Sequence, residues 1–406
     1  MKFKMRKVDW YTAVQIIFQS LSVIGVTVLL ALSYDLLPPT FKSTYSLAQS
    51  LVSHCKGEDS RAFCYEQEVP RLMDEGLSME ATFAVASKIQ ELDQTYKYCH
   101  VLAHYISAKE AHKDLSKWKN VVARAPSGIC GNGAIHGAFQ ERFRAESLPE
   151  ASVSDLALEL RGVCDPRGSW SPTFLERSSC MHAVGHLSMY ATDGNVQKSI
   201  SLCEVLASPA PGEDFRRTCF DGIFMQIFQP LEPEDLVVVE KVRPTAETRE
   251  SFCSKFSGLT RTSCVKESWP LVRAGLATPI TFGDFCSGFS GSFEEERYCF
   301  TGLVYVVFGI LDFNPERMLP LCEQLPLRLQ SMCFSRTASR FVEVDWRNTA
   351  EAVAVCNVAP TSSKTPCFKE LSEFAARGMR EGSAQRKKLC DALPSDFQEK
   401  CVSRIP

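Results

Sequence analysis

Cysteines recur in this chain on a fixed beat. Cys264, Cys299, Cys333, Cys367 and Cys401 are separated by 35, 34, 34 and 34 residues. The phrases around them repeat as well: Leu321-Cys322-Glu323-Gln324-Leu325-Pro326 leads to Cys333, and Leu389-Cys390-Asp391-Ala392-Leu393-Pro394 leads to Cys401. The same pairing distance of eleven positions returns at Cys253/Cys264 and Cys356/Cys367; it stretches to thirteen at Cys286/Cys299 and sixteen at Cys203/Cys219. A period near 34 residues marks a stack of helix–turn–helix units, none of which buries enough apolar surface to stand alone. In each unit the first helix ends near a proline that cannot continue its interior, and the second helix begins before the second cysteine.

The chain holds eighteen cysteines. An even number at regular spacings points to disulfides and an oxidising compartment. Spacing pairs neighbours: Cys55 with Cys64, Cys164 with Cys180 (sixteen apart, like Cys203 and Cys219), and the partners of each later beat. Cys99 and Cys130 are left over, and they either bridge each other across one helical unit or free one thiol to act as a ligand. A bridge over about ten residues contributes roughly 2–3 kcal/mol by loop closure, which is how thin hairpins stay folded outside a cell. The formal net charge is −3, so electrostatics gives no footprint for nucleic acid.

The N-terminus agrees with export. A basic tail over 1–10, with Lys2, Lys4, Arg6 and Lys7, precedes an apolar run over 11–34. At about 1.5 Å per residue such a run crosses the roughly 30 Å hydrocarbon layer, and the basic flank keeps the N-terminus cytoplasmic. The run reads as a single uncleaved transmembrane signal anchor; the rival is a signal peptide cut near Ala31-Leu32-Ser33. Both readings place residues 40–406 in an extracytoplasmic space, the periplasm or, alternatively, the lumen of the secretory pathway. The expected plan is then an N-terminal helical cap over 40–98, histidine-bearing helical repeats over 99–200, and regular cysteine-paired repeats over 201–406.

Five of the seven histidines fall in three short phrases that each open on a cysteine. These are Cys99-His100-Val101-Leu102-Ala103-His104, Cys130-Gly131-Asn132-Gly133-Ala134-Ile135-His136 and Cys180-Met181-His182-Ala183-Val184-Gly185-His186. Counted from its cysteine, His136 holds the same slot as His186, and Met225 and Tyr305 fill that slot in later units. His100/His104 and His182/His186 are i, i+4 pairs, which project from one helix face about 6 Å apart. Two imidazoles so placed can grip one metal ion, and zinc or copper, with iron behind them, suits imidazole. Glu141, Gln140 and Gln226 are candidates to orient those rings. The competing reading is a buried, hydrogen-bonded histidine repeated as a packing element, with Gly133, Gly137 and Gly185 serving close helix contact. His54 and His112 read as surface residues, and Phe220, Phe224 and Phe228 as core. Nucleotide-binding loops, a serine nucleophile elbow and the covalent haem motif are all missing from the sequence.

Paired-helix units of this length resemble tetratricopeptide and Sel1-like repeats. A disulfide within each hairpin is similar to the Helicobacter cysteine-rich protein family. The resemblance implies an α/α superhelix with a concave groove for a protein or peptide. Fold and function are therefore expected as follows: an all-α, disulfide-stapled helical-hairpin repeat solenoid after one N-terminal transmembrane helix, acting as a membrane-anchored scaffold. It would bind a protein partner and hold a metal ion through His100, His104, His136, His182 and His186. The alternative is a metal-dependent extracytoplasmic enzyme using the same histidines.

Overall fold

The computed structural model describes residues 38–126, 129–144, 152–166, 170–207, 214–230, 233–289 and 292–402. The expected membrane anchor at 11–34 lies outside them; among the described residues no helix is long and apolar enough to cross a membrane. Every regular element described is helical. The chain divides into two compact units, one ending at Leu92 and one running from Asp93 onward.

In the first unit α1 (Thr44–Cys55), α2 (Arg61–Asp74) and α3 (Met79–Leu92) follow one another. Ser43 and Ser60 cap α1 and α2 by accepting a backbone N–H of the first turn. Cys55 at the end of α1 is bonded to Cys64 in α2. Leu47, Tyr65, Val69, Phe83 and Ile89 form the buried centre.

The second unit is a series of disulfide-tied hairpins. It opens with α4 (His100–His112), α5 (Trp118–Arg124), a 3-10 turn at Cys130–Asn132, α6 (Gly133–Arg144), α7 (Val153–Leu160) and α8 (Phe174–Ala191). It continues with α9 (Val196–Leu206), α10 (Arg216–Phe228), α11 (Pro233–Val239), α12 (Arg249–Cys253), α13 (Gly258–Glu267), α14 (Pro279–Asp284) and α15 (Phe293–Ile310). The last hairpins are α16 (Pro315–Glu323) with α17 (Leu327–Val344), α18 (Thr349–Val358) with α19 (Thr361–Gly378), and α20 (Ala384–Ala392) with α21 (Ser395–Val402). Each of these three turns on the Leu-Pro or Ala-Pro step before the second helix; Pro326 and Pro360 stand at the N-cap of α17 and α19. Nine disulfides tie the chain, each joining cysteines consecutive in sequence, and no thiol is free. Cys99 and Cys130 are bonded to each other across 31 residues, so neither is a thiolate ligand.

The second helices α4, α6, α8, α10, α13, α15, α17, α19 and α21 pack on one another in order and form an inner layer. The first helices of the hairpins, such as α9, α16, α18 and α20, lie against that layer. Two features depart from a uniform open array. Between α11 and α15 the hairpins shorten: α12 and α14 have five and six residues, and a 3-10 segment runs over Trp269–Gly275. Pro270 and Pro279 sit in the first turns there and restrict continuation. The series also curls until its late helices meet its early ones. Helix α19 packs on α8, Arg380 reaches Glu176 at 3.3 Å, and Arg340 of α17 lies over the Tyr98 ring at 5.5 Å.

Candidate metal centre

Glycine sets the spacing of the histidine-bearing helices. A Cβ on Gly133 or Gly137 of α6 would stand 2.3 and 2.1 Å from the carbonyl oxygens of His100 and His104 in α4. One on Gly185 of α8 would stand 2.0 Å from the Cys219 carbonyl oxygen, and one on Gly222 of α10 would stand 2.0 Å from that of His182. Helix α4 therefore touches α6, and α8 touches α10, backbone to backbone, and side chains beside each contact are brought together. All five predicted histidines converge. His136 is the hub: its ring centroid is 4.9 Å from His100, 5.3 Å from His104, and 5.5 Å from both His182 and His186. Within the pairs His100/His104 and His182/His186 the centroids are 4.8 Å apart.

Hydrogen bonds choose the tautomers. His100 Nδ1 donates to the Cys130 carbonyl at 3.2 Å, which leaves Nε2 as the lone-pair nitrogen. The Cys99–Cys130 bridge and the left-handed turn at Cys130 (φ 51) and Gly131 (φ 55) hold that carbonyl in place. His186 Nδ1 donates to Gln226 Oε1 at 2.7 Å, again leaving Nε2 free to accept or ligate. His136 Nε2 donates to the Ser179 carbonyl at 3.3 Å. His182 Nε2 lies 3.1 Å from His186 Nε2 and 3.3 Å from the thioether sulfur of Met225.

These distances can be compared with a metal. A tetrahedral ion at about 2.05 Å from each imidazole sets its ligand nitrogens roughly 3.3 Å apart. The His182/His186 pair already stands near that spacing. His100, His104 and His136 present nitrogens within 4.8 Å of one another, so a single ion would draw the widest of them in by roughly 1.5 Å. A void of about 20 Å³, walled by His104, His136, His186 and Gln226, sits inside the cluster. One water or one bare ion fills such a space. The Gln226 Nε2 donor beside it is buried without an acceptor.

Three of the rings are held in their neutral form. Burial, above all, pushes His100 down to about 4. Burial first, and then the neighbouring imidazoles, hold His136 well below its usual value; His182 is depressed by burial, His186 and Lys266. Neutral imidazole is the form that binds a metal.

The remaining candidates separate cleanly. Gln226 orients a cluster histidine, whereas Glu141 pairs with the exposed His112 at 2.7 Å and Gln140 faces the Tyr190 hydroxyl at 3.4 Å. His54 is exposed, and Phe220, Phe224 and Phe228 are buried. Sequence reasoning misses two site residues. Met225 shares the histidine slot without being marked as a ligand, although its register from Cys219 is an available signal. Tyr98, stacked on His100 at 5.5 Å and 4°, has no signal in spacing.

A cavity of about 680 Å³ opens onto this cluster, with His100, His136, His182 and Met225 in its wall. No protein-family model matches the chain, and no curated protein and no solved structure matches it either.

Proposed function

We propose that this chain is an extracytoplasmic metal protein. It holds copper, or failing that zinc, in a five-histidine cluster set in a disulfide-stapled helical frame. The observation that supports the reading is the convergence of His100, His104, His136, His182 and His186, from three helices, to ring separations of 4.8 to 5.5 Å. Gathering five imidazoles, three of them buried, around one small void suits a group that uses their lone pairs. Met225 tips the choice of metal, because a thioether beside two imidazoles suits Cu(I) better than zinc. Nine disulfides point to an oxidising space outside the cytoplasm. The membrane anchor at 11–34 and a protein partner for the repeat array belong to this proposal as sequence expectations.

The test is metal content of the full chain, purified from an oxidising compartment without a histidine tag, beside a variant with His100, His104, His182 and His186 all changed to alanine. Stoichiometric copper or zinc in the parent, lost in a variant that keeps its helix content and nine disulfides, is the expected result. A parent that takes up no metal after reloading would return the histidines to packing.

One observation favours an enzyme over a plain metal carrier. Three of the five imidazoles border a cavity large enough for an organic molecule. A bound ion would supply Lewis-acid or redox chemistry there; the chain itself supplies the neutral imidazoles, the oriented His186 and the walls that exclude bulk water.

A further inference from the structure

The same cavity carries a second set of groups, remote in sequence from the histidines. Arg340 of α17 projects into it between two phenol rings, 4.8 Å from the centroid of Tyr305 and 5.5 Å from that of Tyr98. Its Nη1 is tied to Glu343 at 3.1 Å, and only 14% of the side chain is exposed. The guanidinium is thus flanked by two phenols, hydrogen-bonded to Tyr98, and tied to a carboxylate at one corner. Its Nε is nevertheless buried with no acceptor, and so is the Trp269 indole Nε1 on the same wall. Two orphaned donors in one cavity, against a single orphaned carboxylate oxygen, Glu343 Oε2, leave a place for a further acceptor.

The charge balance points the same way. Lys266, Arg273 and Arg340 line the cavity against two carboxyls, Glu267 and Glu343. Lys266 is already held by Asp221 and Glu267, and burial pushes Glu267 towards its neutral form. Arg273 is exposed and makes no ion pair with any described residue. The lining also includes the apolar and aromatic side chains of Leu175, Val306, Ile310 and Phe313, beside the polar Ser178, Ser179, Thr218 and Gln229. The volume of about 680 Å³ falls within the roughly 300–1,000 Å³ range of small-molecule sites.

We propose that this cavity binds a small organic acid with an apolar or aromatic body, its carboxylate on Arg340 and its other end facing the imidazoles. Arg340 offers the charged, oriented donor that a carboxylate selects. The Tyr98 ring, which stacks on His100 and underlies Arg340, joins the two ends of the site. Only the meaning of the far end rests on the metal reading; binding of the acid does not.

The probe is 4-phenylbutyrate, with its neutral amide, 4-phenylbutanamide, as the matched control. Both are titrated calorimetrically into the metal-free full chain. One equivalent of the acid should bind, and the amide should bind at least tenfold more weakly. Arg340→Lys should weaken the acid several-fold, and Arg340→Met should remove the preference for acid over amide. Gly309 lines the cavity, and a Cβ there meets nothing nearer than Phe313 at 3.8 Å, so Gly309→Phe should fill the space and abolish both. The comparison of acid with amide in the parent needs no variant to fold. No binding, equal binding of acid and amide, or binding indifferent to residue 340 would each overturn the proposal. Uptake of Cu(I) and of zinc by the same protein separates the two ideas. Acid binding without uptake of either metal would sink the metal reading alone, and metal uptake without acid binding would sink this one alone.

Discussion

Two stretches of the second unit use one building plan for different ends. From α4 to α10 the inner helices meet backbone to backbone in two pairs, α4 with α6 through Gly133 and Gly137 and α8 with α10 through Gly185 and Gly222, and their disulfides close loops of 31 and 16 residues. From α16 to α21 every bridge spans eleven residues, and larger side chains such as Phe334, Phe341 and Phe368 fill the contacts. The slot six residues past the second cysteine tracks the difference: His136, His186 and Met225 in the early units, Tyr305 between them, Ser339 and Glu373 in the late ones. The lesson is that a repeat frame fixes where a side chain points, and the helix spacing decides whether neighbouring slots can act together. Imidazoles at this slot would remain separate on helices held apart by phenylalanines.

The largest test of this contrast is steric. Gly185→Val would drive a branched side chain into the Cys219 carbonyl. It should cost at least about 3 kcal/mol in urea unfolding, the upper part of the range for overpacking, and scatter the cluster enough to abolish metal uptake. Unchanged stability would mean that the backbone contact is not what sets the spacing.

Next come the bridges. Removing Cys99–Cys130 by paired serine substitution opens a loop of 31 residues, and removing Cys390–Cys401 opens one of eleven. Loop-closure entropy gives about 3.7 and about 2.8 kcal/mol respectively. The first removal should also lower metal affinity, because the Cys130 carbonyl holds His100 Nδ1; the second should leave it alone. Equal loss of metal from both would dissolve the distinction between the two regions.

Acid is the third probe. His100 titrates near 6.5 when unfolded and at about 4 when folded, and His136 and His182 are lowered too. The unfolded chain therefore takes up protons first as the pH falls. The contribution of these histidines to the stability of the metal-free protein is complete above pH 6.5 and is lost between 6.5 and about 4, by roughly 3 kcal/mol for His100 alone. A variant with the five cluster histidines changed to glutamine should lose far less over that window. Identical profiles would show that the cluster is not the acid-sensitive part.

The smallest expected effect is a control. Gly309 in α15 has room for a methyl group, whose nearest neighbour would be Phe313 at 3.8 Å. Gly309→Ala should be neutral or stabilise by up to about 1 kcal/mol, as helix propensity dictates, in contrast to any substitution at Gly185. A thermal melt of the two variants side by side reads the difference.

How much of this was legible depends on the range of the interaction. The hairpins were, because Cys322 and Cys333 are linked across a single turn and Pro326 marks that turn in the sequence. The shared slot of His136 and His186 was legible by counting from the preceding cysteine, since both ride the same helix geometry. The placement of Arg340 over Tyr98 was not. It depends on the summed rotation of every hairpin between them, including the shortened stretch from Arg249 to Asp284, and no local pattern carries that sum. The void beside Gln226 was hidden for a similar reason: it is the gap between four helices rather than a property of any one.

The pairing of consecutive cysteines has a consequence for biogenesis. No bridge encloses or crosses another, so the covalent graph of the chain is a row of separate loops. Each loop can be sealed as soon as its own segment has emerged on the oxidising side, before the next cysteine pair arrives. Pairing in order of emergence is also native pairing, so the eighteen thiols can reach their partners in sequence without reshuffling.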